Sequence, residues 1–147
     1  MLSNETANIE ANNMVLKKVK SKKADQKLLE KHFMKIKRDE NGVTVFADTR
    51  ETKNQRGHHY AIRLGDDKDS EIRFINFQNG AVKLNGVNGV TNEALLEIVY
   101  DRINHLNLKF ACFENSVALD GIRRGLQALY KRTADRIARG VEGENKP

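Results

Sequence analysis

Three arginines near the C-terminal end of the chain have the types and spacing of an anion-binding surface. Arg132, Arg136 and Arg139 lie on one face of a helix because they are four and three residues apart. The planar guanidinium of arginine suits phosphate, since it donates bidentate, charge-assisted hydrogen bonds. Two interpretations are open: surface arginines favoured by the dipole at a helix C-terminus, or a concave anion site.

Small residues continue the same flank of this helix toward its N-terminus and favour the second interpretation. They are Ala118, Gly121, Gly125 and Ala128. A glycine inside a helix costs about 1 kcal/mol relative to alanine. Close approach of a second helix is the usual compensation, so we expect a helix to pack against this strip.

The arginines require a long helix, which an apolar stripe predicts over residues 115–139. Positions 118, 122, 126, 129, 133 and 137 recur at helical spacing and are apolar except Thr133. Gly140 suits the position just after a helix end. A second helix is predicted over 92–106, with Thr91 as its N-cap. A break over 107–113 makes the two an antiparallel helical hairpin over 91–140, followed by a frayed tail at 141–147.

A small antiparallel β-sheet is predicted before the hairpin, in a region spanning 25–90. A short amphipathic helix over 24–37 comes first. Alternating or β-favouring residues then predict strands over 43–48, 58–63, 71–77 and, more briefly, 81–84. Turns are indicated by Asn41-Gly42, Gly65-Asp66-Asp67 and Gln78-Asn79-Gly80. The fold class is therefore α+β.

Composition excludes several classes of protein. The 147 residues carry a net charge of +6 and one Cys, which excludes a disulfide framework and a Cys-cluster zinc site. We expect no membrane span and no secretory signal. Residues 1–24 read as a disordered basic arm, with five lysines between positions 17 and 23. Such an arm leaves a small nucleic-acid-binding protein as the alternative function.

Catalytic and metal-binding motifs do not stand out. The four histidines, which are His32, His58, His59 and His105, lack metal-ligand spacing with Cys or acidic residues. No GxSxG, Walker or GxGxxG motif is present in a suitable context. We expect a binding protein, without enzymatic activity and without a cofactor or metal.

Three strings in the second half of the chain carry a family resemblance. They are FQNGAVKLNGVNGVTNEALL over 77–96, FACFENSVAL over 110–119 and RTADRIARGVEG over 132–143. Together they resemble the phage-encoded Thoeris anti-defence protein 1 family, whose hairpin is related to that of anti-CBASS protein 2.

The resemblance implies a non-catalytic sponge in the host bacterial cytoplasm. Such proteins bind the cyclic ADP-ribose isomers, 1″–2′ and 1″–3′ glycocyclic ADP-ribose, that Thoeris TIR-domain proteins make. Related proteins also take the cyclic di- or trinucleotides of CBASS. The resemblance further implies a homodimer through the hairpin, and the dimers could assemble into a hexamer as a trimer of dimers.

The ligand of this family lies between two protomers. Carried over, the resemblance assigns it to Asn115, Arg132 and Arg136. The family has a stacking aromatic in a Phe-Gln pair, and Leu106 stands at that position in this chain. His105, Phe113 or Leu106 itself must then cover a ring of the ligand. Phe113 also replaces an arginine that the family commonly has, which is a second departure.

Spacing along the predicted helix favours a shared site. Asn115 and Arg132 are 17 residues apart, which is about 25 Å on one helix. An antiparallel two-fold dimer that crosses near 123–125 would bring Asn115 of one protomer to both arginines of the other, in two equal pockets.

A second nucleotide pocket is a further candidate in the loop before the hairpin. Its residues would be Lys83, Asn88, Gly89 and Asn92, because exposed amides and a helix start favour phosphate. A tight turn with an N-cap is the alternative, and the sequence favours it.

Overall fold

The computed structural model describes residues 22–50 and 56–144. It divides into two compact units, one up to Asn76 and one from Phe77 onward, which we call the sheet unit and the helical unit. Residues 1–21 of the predicted basic arm lie outside the described residues. Residues 22–24, placed in the arm by the sequence, are helical.

The sheet unit contains a helix and a four-stranded sheet. The helix, α1, covers residues 22–32 and leads directly into the first strand. The strands are β1 (Phe33–Arg38), β2 (Val43–Asp48), β3 (His59–Leu64) and β4 (Glu71–Asn76). They are ordered β1-β2-β3-β4, and every neighbouring pair is antiparallel. The prediction of a small antiparallel sheet is confirmed.

The predicted helix over 24–37 is wrong in its second half, which forms β1. Short apolar runs are ambiguous between helix and strand, and tertiary pairing decides. Here Phe33 pairs with Asp48 of β2. The Asp39 carboxylate closes the β1–β2 turn by accepting hydrogen bonds from Asn41 N and Val43 N at 2.9 and 2.8 Å.

The interior of the sheet unit combines a small apolar core with a buried carboxylate, whose arginine partner is half-exposed. Leu29 of α1 and Ala61 of β3 are 2% and 0% exposed. Asp48, at the end of β2, is also buried and accepts hydrogen bonds from the backbone N and Nε of Arg50 at 2.8 and 3.0 Å. These bonds lower the pKa of Asp48, against an opposing effect of burial.

The helical unit begins with a loop in which the predicted strand at 81–84 is wrong. Residues Val82–Asn85 form a single helical turn, α2. An isolated parallel bridge joins Phe77 to Val90 on either side of this turn, and Gln78 N donates to Val90 O at 2.9 Å.

The helical hairpin is confirmed, with longer helices than predicted. It consists of α3 (Asn92–Lys109) and α4 (Phe113–Ala138), which pack on each other. The break shrinks from 107–113 to 110–112. Thr91 is the N-cap of α3, accepting from Ala94 N at 3.1 Å. Within the described ranges, no helix is long and apolar enough to cross a membrane.

Candidate functional site

Helix α4 carries the predicted ligand residues at its two ends. Asn115 lies in its first turn, and Arg132 and Arg136 lie in its last two turns. The helix is continuous between them, so about 25 Å separates Asn115 from Arg132. One small nucleotide cannot contact both ends of α4 in a single chain.

The strip of glycines between these ends is open within the chain. A Cβ placed at Gly121 or at Gly125 would meet no atom of the described residues within 4 Å. The expected helix against this strip is therefore not α3. Within the apolar stripe, Leu126 is buried at 6% exposed, whereas Ile137 near the end of α4 is 61% exposed.

The two candidate arginines have different surroundings. Arg132 is exposed, and its side chain makes no hydrogen bond or ion pair among residues 22–50 and 56–144. The Arg136 side chain is only 15% exposed. Spacing alone placed both arginines on one flank, but only the tertiary structure shows that one is open and the other engaged.

Arg136 is engaged by the segment that follows α4. Its Nε donates to Glu142 Oε2 at 3.0 Å, and its Nη2 donates to the carbonyls of Val141 at 2.9 Å and Glu144 at 2.7 Å. The expectation of a frayed tail is therefore wrong for 141–144. Residues 145–147 lie outside the described residues.

Gly140 starts the reversal that creates this contact. Its φ of +67° is favourable for glycine. Gly140 N donates to Ile137 O at 2.9 Å and Val141 N to Arg136 O at 3.0 Å, which together make a Schellman motif. The predicted helix end at Gly140 is confirmed.

Asn115 helps to shape the turn between α3 and α4. Its Nδ2 donates to Phe110 O at 3.3 Å, and its backbone N donates to Cys112 Sγ at 3.4 Å. Asn107 assists by accepting from Cys112 N at 3.3 Å. The amide of Asn115 is half-buried at the hairpin tip, and one of its donors is already used.

The residues predicted to cover a ring lie around the same tip. His105 is exposed, with Nδ1 2.9 Å from Asp101 O and 3.3 Å from Asp101 Oδ1. Leu106 is half-buried. Phe113 is 78% exposed, and Phe110, which the sequence argument missed, is 72% exposed. Phe110 is the first residue of the string over 110–119, and that position is the sequence signal that could have identified it.

In the second candidate pocket, the polar groups of Asn88 already form hydrogen bonds within the loop. Asn88 N donates to Gln78 Oε1 at 3.0 Å, and its side chain exchanges two bonds with the backbone of Asn79, at 2.8 and 2.9 Å. Lys83 Nζ lies 3.8 Å from Glu144 Oε1. Gly89 and Asn92 adjoin this network in sequence. The geometry favours the tight-turn interpretation, and nucleotide binding here stays a prediction.

The part of the chain that the structure describes contains no cluster of potential metal ligands. No three His, Cys, Asp or Glu side chains there are grouped to hold an ion. The geometry thus defines a class: an α+β protein whose candidate anion-binding groups lie on one helical hairpin.

Comparison with known proteins narrows this class. The chain is 42% identical over 77 residues to Thoeris anti-defense 1 of Bacillus phage SBSphiJ7, covering 52% of this chain and 54% of the relative. The chain thus spans about half the length of the curated relative that it matches. No family model matches the chain. The resemblance to the Thoeris anti-defence protein 1 family is confirmed, as a similarity over about half of the chain.

Proposed function

We propose that this chain is a phage anti-defence protein that sequesters the cyclic ADP-ribose isomers of Thoeris immunity without cleaving them. The observation that carries the proposal is its 42% identity to Thoeris anti-defense 1. It acts in the host bacterial cytoplasm, where the signal must be intercepted. The three residues assigned to the ligand are Asn115, Arg132 and Arg136.

The exposed chemistry of the hairpin supports this function. Arg132 offers an open guanidinium for a diphosphate, and the exposed rings of Phe110 and Phe113 offer surface for a base. Hydrogen bonds to charged groups contribute about 1.5–3 kcal/mol each. Two bidentate arginines, with four such bonds, would contribute about 6–12 kcal/mol before the cost of association, and a stacked base would add to this.

A two-fold dimer completes the proposed site. The length of α4 keeps Asn115 away from the arginines of its own chain, and Gly121 and Gly125 are open to close approach. An antiparallel crossing at these glycines makes two equal pockets, each with Asn115 from one protomer and the arginines of the other. A hexamer built from three such dimers is compatible with the proposal.

Titration calorimetry tests the proposal directly. Purified full-length protein is titrated with 1″–2′ and 1″–3′ glycocyclic ADP-ribose, with a cyclic dinucleotide, a cyclic trinucleotide and a short duplex DNA as separate arms. We expect tight, saturable binding of one isomer near one ligand per protomer. Salt-sensitive DNA binding without nucleotide binding would instead establish the nucleic-acid alternative.

The absence of cleavage has its own test. Ligand released by denaturing the complex should be chemically intact by mass spectrometry. Recovery of a hydrolysed nucleotide would show an enzyme in place of a sponge.

A further inference from the structure

We infer that residues 141–144 form a strap that occupies Arg136 and competes with the ligand's phosphates; this rests on the proposed function above. The strap follows Gly140 and folds back over the last turns of α4. Its own carboxylate, from Glu142, takes the place that a phosphate oxygen would take.

The strap fills one bidentate edge of the Arg136 guanidinium, of the kind that phosphate groups bind. The Nε and Nη2 atoms form one edge of the guanidinium fork, with one N–H on Nε and two on Nη2. Nε donates to Glu142, while Nη2 donates to two carbonyls, those of Val141 and Glu144. Every donor on this edge is used, so a phosphate can take it only after the strap leaves.

Local sequence builds the strap. Gly140 reverses the chain at a φ of +67°, and Gly143 has a φ of +73°. Glu144 N donates to Val141 O at 3.2 Å, which closes a turn that contains Glu142 and Gly143. The two glycines therefore place Glu142 over Arg136.

The far end of the strap contacts α2. A Cβ at Gly143 would lie 3.1 Å from Lys83 Cγ, so the strap backbone packs closely on this side chain. Glu144 Oε1 lies 3.8 Å from Lys83 Nζ. The two acidic residues of the strap thus face two cations that the sequence had assigned to nucleotide binding.

The strength of this contact suits a strap that can be displaced. The Glu142 side chain is 43% exposed, so solvent screens its attraction to Arg136. A diphosphate offers more charge and more acceptor oxygens. The measured affinity then equals the intrinsic affinity multiplied by the fraction of molecules with the strap open.

Calorimetry of Glu142→Gln tests the competition. Removing the carboxylate should weaken the strap and tighten binding of the preferred cyclic ADP-ribose isomer about two- to five-fold. The matched control is Glu71→Gln, which removes a carboxylate paired with Arg73 at 2.8 Å in the sheet unit. The control should bind as the unmodified protein does.

A second variant opens the strap without changing charge. Gly143→Ala adds a Cβ at a positive φ and against Lys83, so it should tighten binding in the same direction. Unchanged or weakened binding in both variants, with the helical circular dichroism retained, would overturn the strap. Weakened binding would mean that Glu142 positions Arg136.

Inorganic pyrophosphate separates failure of the strap from failure of the proposed function. The Arg136 Nε–H resonance is followed by NMR as pyrophosphate is added to the unmodified protein and to Glu142→Gln. Tighter pyrophosphate binding in the variant supports the strap even if neither protein binds a cyclic ADP-ribose isomer, a result that would overturn the sponge. Equal pyrophosphate binding would overturn the strap.

Discussion

The two units bury their side chains to different extents. In the sheet unit, Leu29 and Ala61 are almost completely buried. In the helical unit, α3 has no buried residue and α4 buries only Leu126, although both helices are apolar on one side. Ile98, Phe113 and Ile137 are 61–78% exposed. The sheet unit also exposes apolar side chains, with Met34 at 56% and Ile36 at 53%, but most of the exposed large apolar side chains of the described residues lie in the helical unit.

Both units contain ion pairs, and those of the helical unit include Arg124 with Asp120 and Lys131 with Asp135. The sheet unit pairs Asp48 with Arg50 and, between two turns, Arg38 with Asp66, where Nε donates at 3.1 Å. This pairing lowers the pKa of Asp66 and raises that of Arg38. The hairpin leaves Arg132 open. In the proposed function the ligand is bound by the hairpin, so we expect substitutions in the sheet unit to act on stability alone.

The largest expected effect is on ligand affinity. Arg132→Ala combined with Arg136→Ala should weaken binding about 10²- to 10⁴-fold, because two charge-assisted contacts are lost. Calorimetry measures the affinity and analytical ultracentrifugation the oligomeric state. Arg73→Ala, an exposed arginine of the sheet unit, is the control and should bind normally. Loss of the oligomer in the double variant would show that these arginines are structural.

The next largest effect is on the stability of the hairpin. Leu126→Ala should lower the free energy of unfolding by about 2–5 kcal/mol, since it leaves a cavity between α3 and α4. Urea denaturation followed by circular dichroism gives the value. Ile98→Ala is the control, because Ile98 is 65% exposed within the chain and its truncation should cost little stability in a monomer. An equally large loss at Ile98 would mean that another molecule covers that face.

The sheet unit should lose stability in acid because of Asp48. Hydrogen bonds from Arg50 hold the pKa of Asp48 below its ordinary value of 3.8. The ionised form is therefore favoured by folding, and its contribution is complete above about pH 4 and lost as the pH falls through the lowered pKa. Thermal melts from pH 7 to pH 2 should show this loss. Asp48→Asn should be less stable by about 1 kcal/mol at pH 7 and should show a smaller acid-induced loss. An unchanged acid profile in Asp48→Asn would contradict the assignment.

The smallest effect concerns the start of the hairpin. Thr91→Ala removes the oxygen that accepts from Ala94 N, so stability should fall by about 1 kcal/mol. Thr91→Ser keeps the cap and serves as the control. If Thr91→Ala and Thr91→Ser have the same melting temperature, the cap does not stabilise α3.

The sequence by itself determined much of the hairpin. Helical spacing of apolar residues, the Thr91 cap and Gly140 are local signals, and each was sufficient to place a helix or its end. The family resemblance likewise needed only the order of three strings. Local chemistry was ambiguous for residues 33–38 and 81–84, where short runs are compatible with either helix or strand.

Tertiary structure decided the rest. Pairing with β2 turned residues 33–38 into a strand, because an edge of backbone donors and acceptors was available there. The contact between residues 141–144 and Arg136 is short in sequence, at most eight residues. It still depends on the reversal of the chain at Gly140, which brings these residues back over Arg136. From the sequence, the arginines at positions 132 and 136 were predicted to bind the same ligand. In the structure their surroundings differ, because Arg132 faces solvent and Arg136 faces the carboxylate of Glu142.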